Sequence, residues 1–500
     1  MRPATALLCS LFLSASACAG NLQDEVRGLV SSMGPRKGVV AVSVRDADGR
    51  EVVNIRGDEP VRPASNQKLL TTGTALRLLG PDFAFQTRLV LSGDRLTVVG
   101  DGDPAFGDPE LLKEMTYTST DGVVHQGMSV DLLLSLWTDA VKAKGVQSVR
   151  ELVVDDRVFD RGTCHADWPV DQLHEAYCAE VAGLNFHLNR LDFWGVPSPR
   201  GAEITRTEPA CRFIGVRNET KPGKTKDDAL WIQREVDANN FTIRGFLRQP
   251  LQAPVGVTVD NPPAFFAQLL AERLRAAGVQ VGVARLAEAA DPPAAGEDVG
   301  PVIRTPLRAA ITRCNVDSQN LYAECLLKRF GHAATCTPGS WNNGTEALQR
   351  QVAARLGAAP GLRAADGSGL SRENRVTTSL MTAWVNDLLH DPAVSEAFLH
   401  SLAVGGKSGT VNKRFRDLDP RLATVRCKTG YIDGVCALSG VVDCVNGYRP
   451  TFSVICNGFE GDGVARAKQL QEAVAKAVAR AYGNLPTRQV PAERPALGGG

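Results

Sequence analysis

No block of five or more like charges occurs in this 500-residue chain, and its formal net charge is +1. The long-range field that holds a polyanion is missing, which excludes nucleic acid as a partner. No CxxC or HxxxH spacing is present either, so the loose group Cys164, His165, His174, Cys178 and His187 lacks the ligand pattern of a zinc site. No metal and no cofactor is therefore expected. The apolar run Ala4 to Leu13 is too short to cross a bilayer, so no transmembrane span is expected once a leader is removed.

What is present is a globular composition, 43% hydrophobic and 22% charged, long enough for two or three domains with cores of their own. Arg2, the apolar run and the small residues Ser14 to Gly20 follow the order of a secretory signal peptide, assigned to residues 1–19. Cleavage can follow Ala17 or Ala19; a lipoprotein-type reading of Ala15-Ser16-Ala17-Cys18 would leave a lipid on Cys18 instead. Either way the expected location is periplasmic or otherwise extracytoplasmic. Ten cysteines lie beyond residue 20, an even number that favours disulfides in an exported chain. Cys427 and Cys436 flank a tight hairpin and are candidates to pair across its strands.

Alternation over Val39–Arg45, the turn Asp48-Gly49 and the return over Glu51–Arg56 predict a β-hairpin. Helical rhythm through Leu69, Leu70, Ala75, Leu76 and Leu79 puts Ser65 at a helix start. Near the other end, Ala423–Lys428, Val435–Cys444 and Thr451–Cys456 read as three strands, followed by an Ala-rich amphipathic helix from Ala465 to Tyr482. Hairpin and trio are expected to share one antiparallel sheet covered by helices on both faces, an α+β fold. Two segments look alike, Leu132–Val154 and Phe265–Val283, each a helix, a Gly-Val step and a strand. Residues 86–257 read as inserted material between 20–85 and 258–484, and the Pro- and Gly-rich tail 485–500 as disordered.

Ser65 and Lys68 stand three apart at that helix start, so both side chains project on one face. A serine hydroxyl is a poor nucleophile at neutral pH, and an adjacent lysine can act as its base if burial or a neighbouring cation depresses the ammonium pKa. Alone, Ser-x-x-Lys is a common accident. Here Ser318-Gln319-Asn320 opens a helical run and Lys428-Thr429-Gly430 follows at the end of a strand, in the order of the penicillin-recognising serine enzymes.

The flanking residues narrow this further. Pro63 to Leu69, Gly100-Asp101-Gly102-Asp103-Pro104, Asp317 to Glu324, Asp366 to Arg372 and Lys428-Thr429-Gly430 together resemble the low-molecular-mass class C penicillin-binding proteins, peptidase family S13. The resemblance implies a serine β-lactamase/penicillin-binding-protein-like transpeptidase domain carrying inserted smaller domains, which fits the gap of about 250 residues between the first two motifs. It implies a D-alanyl-D-alanine carboxypeptidase/endopeptidase acting on peptidoglycan stem peptides and blocked by β-lactam antibiotics. Ser65 would attack the carbonyl, Lys68 would be its general base, and Ser318 would relay the proton to the leaving amine. Asn320 would hold the acyl amide, Lys428 and Thr429 the terminal carboxylate, and the N–H groups of Ser65 and Tyr431 the oxyanion. Asn66 and Tyr431 depart from the Thr and the small residue many members carry there. Ser368 and Arg372 are candidates for binding alone, and Lys407-Ser408-Gly409-Thr410 reads as an imitation of the third motif outside the site. A β-lactamase is disfavoured because Glu180 and Asn185 are spaced one residue too far apart and precede the second motif.

Overall fold

A computed structural model describes residues 21–118, 123–223 and 229–488. The expected signal peptide at 1–19, Cys18 and residues 489–500 of the expected disordered tail 485–500 lie outside these residues. The expected hairpin forms, Val39–Arg45 against Glu51–Ile55, and the C-terminal trio joins it in one antiparallel sheet. Strands run in the order Ala403–Val404, Ala423–Ile432, Val435–Cys444, Thr451–Asn457, Val39–Arg45, Glu51–Ile55.

Because strand side chains alternate, both faces of this sheet are apolar and both are covered. Val42, Leu438 and Val454 pack under Leu470, Val474 and Val478 of the C-terminal helix Gly463–Gly483 and under Leu22 and Val26 of the helix at 21–33. Ala41, Ala437, Val441 and Ile455 face the opposite layer, where the helices Gln67–Leu79, Leu307–Val316, Asn320–Thr335 and Thr378–His390 pack.

Two expectations need correction. The strand that carries the third motif does not stop at Lys428: it pairs on through Ile432, opposite Val435, which sets Lys428, Thr429 and Gly430 inside a ladder. Cys427 and Cys436 do not face each other, since Cys427 lies opposite Gly440 and Cys436 lies between Tyr431 on one side and Cys456 on the other. All ten cysteines of the described residues are unbridged.

The second body has its own sheet, ordered Gln280–Leu286, Ser148–Asp155, Arg95–Val99, Ala84–Ser92, Glu297–Asp298. The two look-alike segments become adjacent here: Ser148–Asp155 and Gln280–Leu286 pair in parallel, each preceded by its helix, Val130–Ala143 and Pro262–Ala276. Parallel neighbours need such a crossover helix. This core runs on past residue 257, because Phe266, Leu270 and Val281 pack with Leu89, Trp137 and Leu152. Two three-stranded sheets and the two-stranded pair Thr116–Thr118 and Val124–Gln126 complete the body.

Its loops are pinned to the helices Leu307–Val316 and Asn320–Thr335. Asp101 pairs with Arg329 at 2.9 Å, and the buried Asp108 carboxylate accepts from Arg313 at 2.8 Å and from the Tyr322 hydroxyl at 2.6 Å. Asp160 pairs with Lys328, whose ammonium also lies 3.8 Å from the Trp341 ring centre.

Candidate active site

Residues Ala64–Asn66 form a single 3-10 turn leading into the helix Gln67–Leu79, so Ser65 leaves the helix axis and points into a cleft of about 670 Å3 where the two bodies meet. Ala64 is held at a φ of 45° and Ser318 at 62°, left-handed values rare for residues with a side chain. Such strain at two motif positions is the pattern of a functional site. The surrounding fold imposes it by close approach: a Cβ on Gly369 would stand 1.8 Å from the Ala64 carbonyl oxygen, and one on Gly430 would stand 2.8 Å from the Pro63 oxygen and 3.0 Å from the Ser65 nitrogen. Only glycine lets the third-motif strand and the 366–371 loop clasp the Ser65 turn from two sides.

Lys68 is fully buried, and its ammonium nitrogen lies 2.9 Å from Ser65 Oγ, 2.7 Å from Asn320 Oδ1 and 3.0 Å from the Ser368 carbonyl oxygen. Burial lowers its pKa to about 8, against the opposing pull of Cys314, Glu324 and Asp366. Across the cleft, Lys428 Nζ donates to Ser318 Oγ and to the Thr429 carbonyl, both at 2.8 Å. Burial, and then the Lys68 charge, hold Lys428 well below the usual lysine range. Two amines thus flank two hydroxyls, each lysine on its own serine.

All seven residues singled out from the sequence gather here. Asn320 is stretched between Lys68 and the Tyr177 carbonyl, to which its Nδ2 donates at 2.8 Å. Tyr431 is 58% exposed at the cleft mouth, whereas Asn66 points away, donating to the buried Ser439 hydroxyl at 2.6 Å. Ser368 contributes its carbonyl, not its side chain, to Lys68. Arg372 lines the cleft and donates to the Asp433 carbonyl.

Other contributors escaped the sequence reading. Lys407 takes no part, but Thr410 of the same quartet accepts a hydrogen bond from Thr429 Oγ1 at 2.8 Å. Trp168 reaches from the second body to donate its indole N–H to Asp366 Oδ2, which also accepts from Ser371 N–H. Tyr177 acts through its backbone, for which no sequence signal exists. The sequence signal for Thr410 is its place in the Lys407-Ser408-Gly409-Thr410 quartet, which reads as an imitation of the third motif outside the site although its last residue meets Thr429. Glu180 faces away from this cleft, into a separate cavity of about 380 Å3 beside Arg234 and Asp260.

The fold and this constellation define a penicillin-recognising serine enzyme. Residues 27–480 match the model of the D-Ala-D-Ala carboxypeptidase 3 (S13) family. The chain belongs to that family, and its reaction class is that of a serine peptidase. Among relatives, the D-alanyl-D-alanine carboxypeptidase of Actinomadura sp. (strain R39) is 31% identical over 86% of this chain and 79% of its own length. The D-alanyl-D-alanine carboxypeptidase DacB of Haemophilus influenzae is 25% identical over 84% of this chain and 85% of its own. Among solved structures, penicillin binding protein 4 from Haemophilus influenzae superposes with a TM-score of 0.71 at 20% identity, covering 91% of this chain and 98% of that one.

Proposed function

We propose that the protein hydrolyses the D-Ala-D-Ala bond of peptidoglycan stem peptides, as a carboxypeptidase/endopeptidase, through an acyl-enzyme on Ser65. The observation that carries this reading is the buried Lys68 amine 2.9 Å from Ser65 Oγ, in a setting that lets it lose its proton near pH 8. Neutral Lys68 takes the Ser65 proton as the oxygen attacks the carbonyl. Gly430 comes so close to the Ser65 turn that a Cβ on it would stand 3.0 Å from the Ser65 nitrogen, and the Ser65 and Tyr431 N–H groups would serve the developing oxyanion, a contribution on the order of 3 kcal/mol per donor. Ser318 already accepts from Lys428, so its own O–H is free to give its proton to the departing amine while its oxygen takes one in return, relaying the proton that Lys68 removed from Ser65. Asn320 would hold the acyl amide, and Lys428 with Thr429 the terminal carboxylate. Water then frees the acyl group.

A β-lactam fills the same site and leaves a slowly released acyl group. Its support is that the penicillin binding protein 4 fold has been solved with a β-lactam bound, in a structure that superposes on this chain with a TM-score of 0.68. Export by the leader at 1–19, with Cys18 as an alternative lipid site, would put the enzyme where its substrate lies. In that compartment Cys436 and Cys456, opposed across adjacent strands, are better placed to pair than Cys427 and Cys436. By packing, the inserted unit is better drawn from about residue 84 to about residue 306 than from 86 to 257.

Intact-protein mass spectrometry after incubation with benzylpenicillin tests the reading. One drug adduct on the wild type and none on Ser65→Ala is the expected result. Unmodified protein with intact drug would sink it, and unmodified protein with hydrolysed drug would point to a β-lactamase.

A further inference from the structure

Glu324 takes no part in the steps above, yet it is a carboxylate with no exposed surface in the wall behind Lys68. It follows Asn320 by one helical turn, so both project toward the same face of the helix Asn320–Thr335. Three N–H groups converge on it. Ser368 N–H donates to Oε1 at 2.7 Å, while Gly367 N–H and the Trp341 indole N–H donate to Oε2, each at 2.9 Å. A protonated carboxyl would have to turn its O–H toward one of these donors, so the cradle suits the carboxylate. Burial and the neighbouring Asp366 work the other way and push the group up to about 7. The backbone that Glu324 grips is the one whose Ser368 carbonyl accepts from Lys68.

We propose that Glu324 is a positioning residue for acylation: its carboxylate fixes the Gly367–Ser368 backbone against Lys68, and its negative charge sets the pH at which Lys68 can accept the Ser65 proton. This rests on the acyl-enzyme reading of Ser65 and Lys68. Lys68 faces Cys314 from the helix Leu307–Val316, Glu324 from Asn320–Thr335, Asp366 from the loop and Lys428 from the strand Ala423–Ile432. Cys314 is pushed up to about 12 and stays neutral. Asp366 is engaged by the N–H groups of Gly369 and Ser371, Trp168 and Asn374. Glu324 in turn faces Asp366, Cys314, Cys325 and Lys328, of which Lys328 is already paired with Asp160.

The sign follows from charge. Ionised Glu324 favours the ammonium form of Lys68, so removing that charge lets Lys68 lose its proton at lower pH. Rates of Ser65 acylation by a fluorescent penicillin, measured against pH on the full chain, read this out. In Glu324→Gln the rising limb is expected about one pH unit below that of the wild type. Its plateau is expected on the order of 100-fold lower, because the amide turns an N–H toward a donor and the loop shifts. Glu324→Asp, which keeps the charge, is expected to be slower but to rise at the wild-type pH. Trp341→Phe serves if the glutamine variant does not fold: with one donor gone, Glu324 protonates more readily, and acylation is expected to fall relative to wild type below about pH 7 and to recover above it. An adduct that forms normally on the wild type, with unmoved profiles in both Glu324→Gln and Trp341→Phe, overturns the role of Glu324 alone. Absence of any Ser65-dependent adduct on the wild type overturns the acyl-enzyme reading beneath it.

Discussion

Around Ser65 the interior holds ionisable groups, with Lys68, Lys428, Glu324 and Asp366 all fully buried, whereas the centre of the second body is built of rings. There Phe106 packs against Phe186 at 5.0 Å, Phe266 at 5.4 Å and Trp137 at 5.5 Å between ring centres. Rings out of water stabilise a fold directly, while buried charges cost stability unless every one is hydrogen-bonded or paired. The two regions divide the labour. The second body supplies an apolar frame, and the wall around Ser65 gives up stability to hold two buried amines whose ammonium forms burial disfavours.

Substitutions on the two sides should therefore fail in different ways. Lys68→Ala is expected to cut the rate of acylation by benzylpenicillin by at least about 10^4-fold, with the melting temperature unchanged or raised because a buried amine is gone. A low melting temperature in that variant would blur the division. Phe266→Ala is the converse: a loss of about 3–5 kcal/mol in denaturant unfolding, with acylation by the folded fraction within about threefold of wild type. Trp168→Phe sits on the seam between the bodies. Deleting its indole N–H leaves a buried acceptor short of a partner, and acylation is expected to slow about tenfold with a stability loss of about 1–2 kcal/mol. An effect on only one of the two readouts would show that the bodies are less tightly joined than the Trp168–Asp366 bond implies. The smallest change is expected from Thr410→Val: about a fivefold drop in kcat/KM for a peptide ending in a free carboxylate, and less for the same peptide ending in an amide. Equal drops for both peptides would remove Thr410 from carboxylate recognition.

Motif and period carried the sequence reading a long way where contacts are local. The Ser65–Lys68 pair follows from helical spacing, the hairpin from alternation around Asp48-Gly49, and the look-alike helix-strand segments from their shared Gly-Val step. Contacts between distant segments were not legible. Nothing near Trp168 in the chain announces Asp366, and Tyr177 acts through a carbonyl that any residue would supply. The strand end was misjudged at Lys428 because Thr429-Gly430 looks like a turn, although Gly430 is there for a close approach and the ladder continues past it. Cysteine pairing failed for a related reason: register decides which side chains oppose, and the hairpin's turn lay at Asp433-Gly434, not midway between Cys427 and Cys436.

The catalytic sheet joins the two ends of the chain, with Val39 paired to Asn457 and the Ser65 turn clasped by the strand that holds Gly430. A chain is synthesised from its N-terminus, so Ser65 emerges early and the strand that completes its surroundings emerges late. The second body, with a core of its own, can settle in the interval. Catalytic competence thus arrives only when nearly the whole polypeptide has been delivered, and a truncated product carries the serine but no working site.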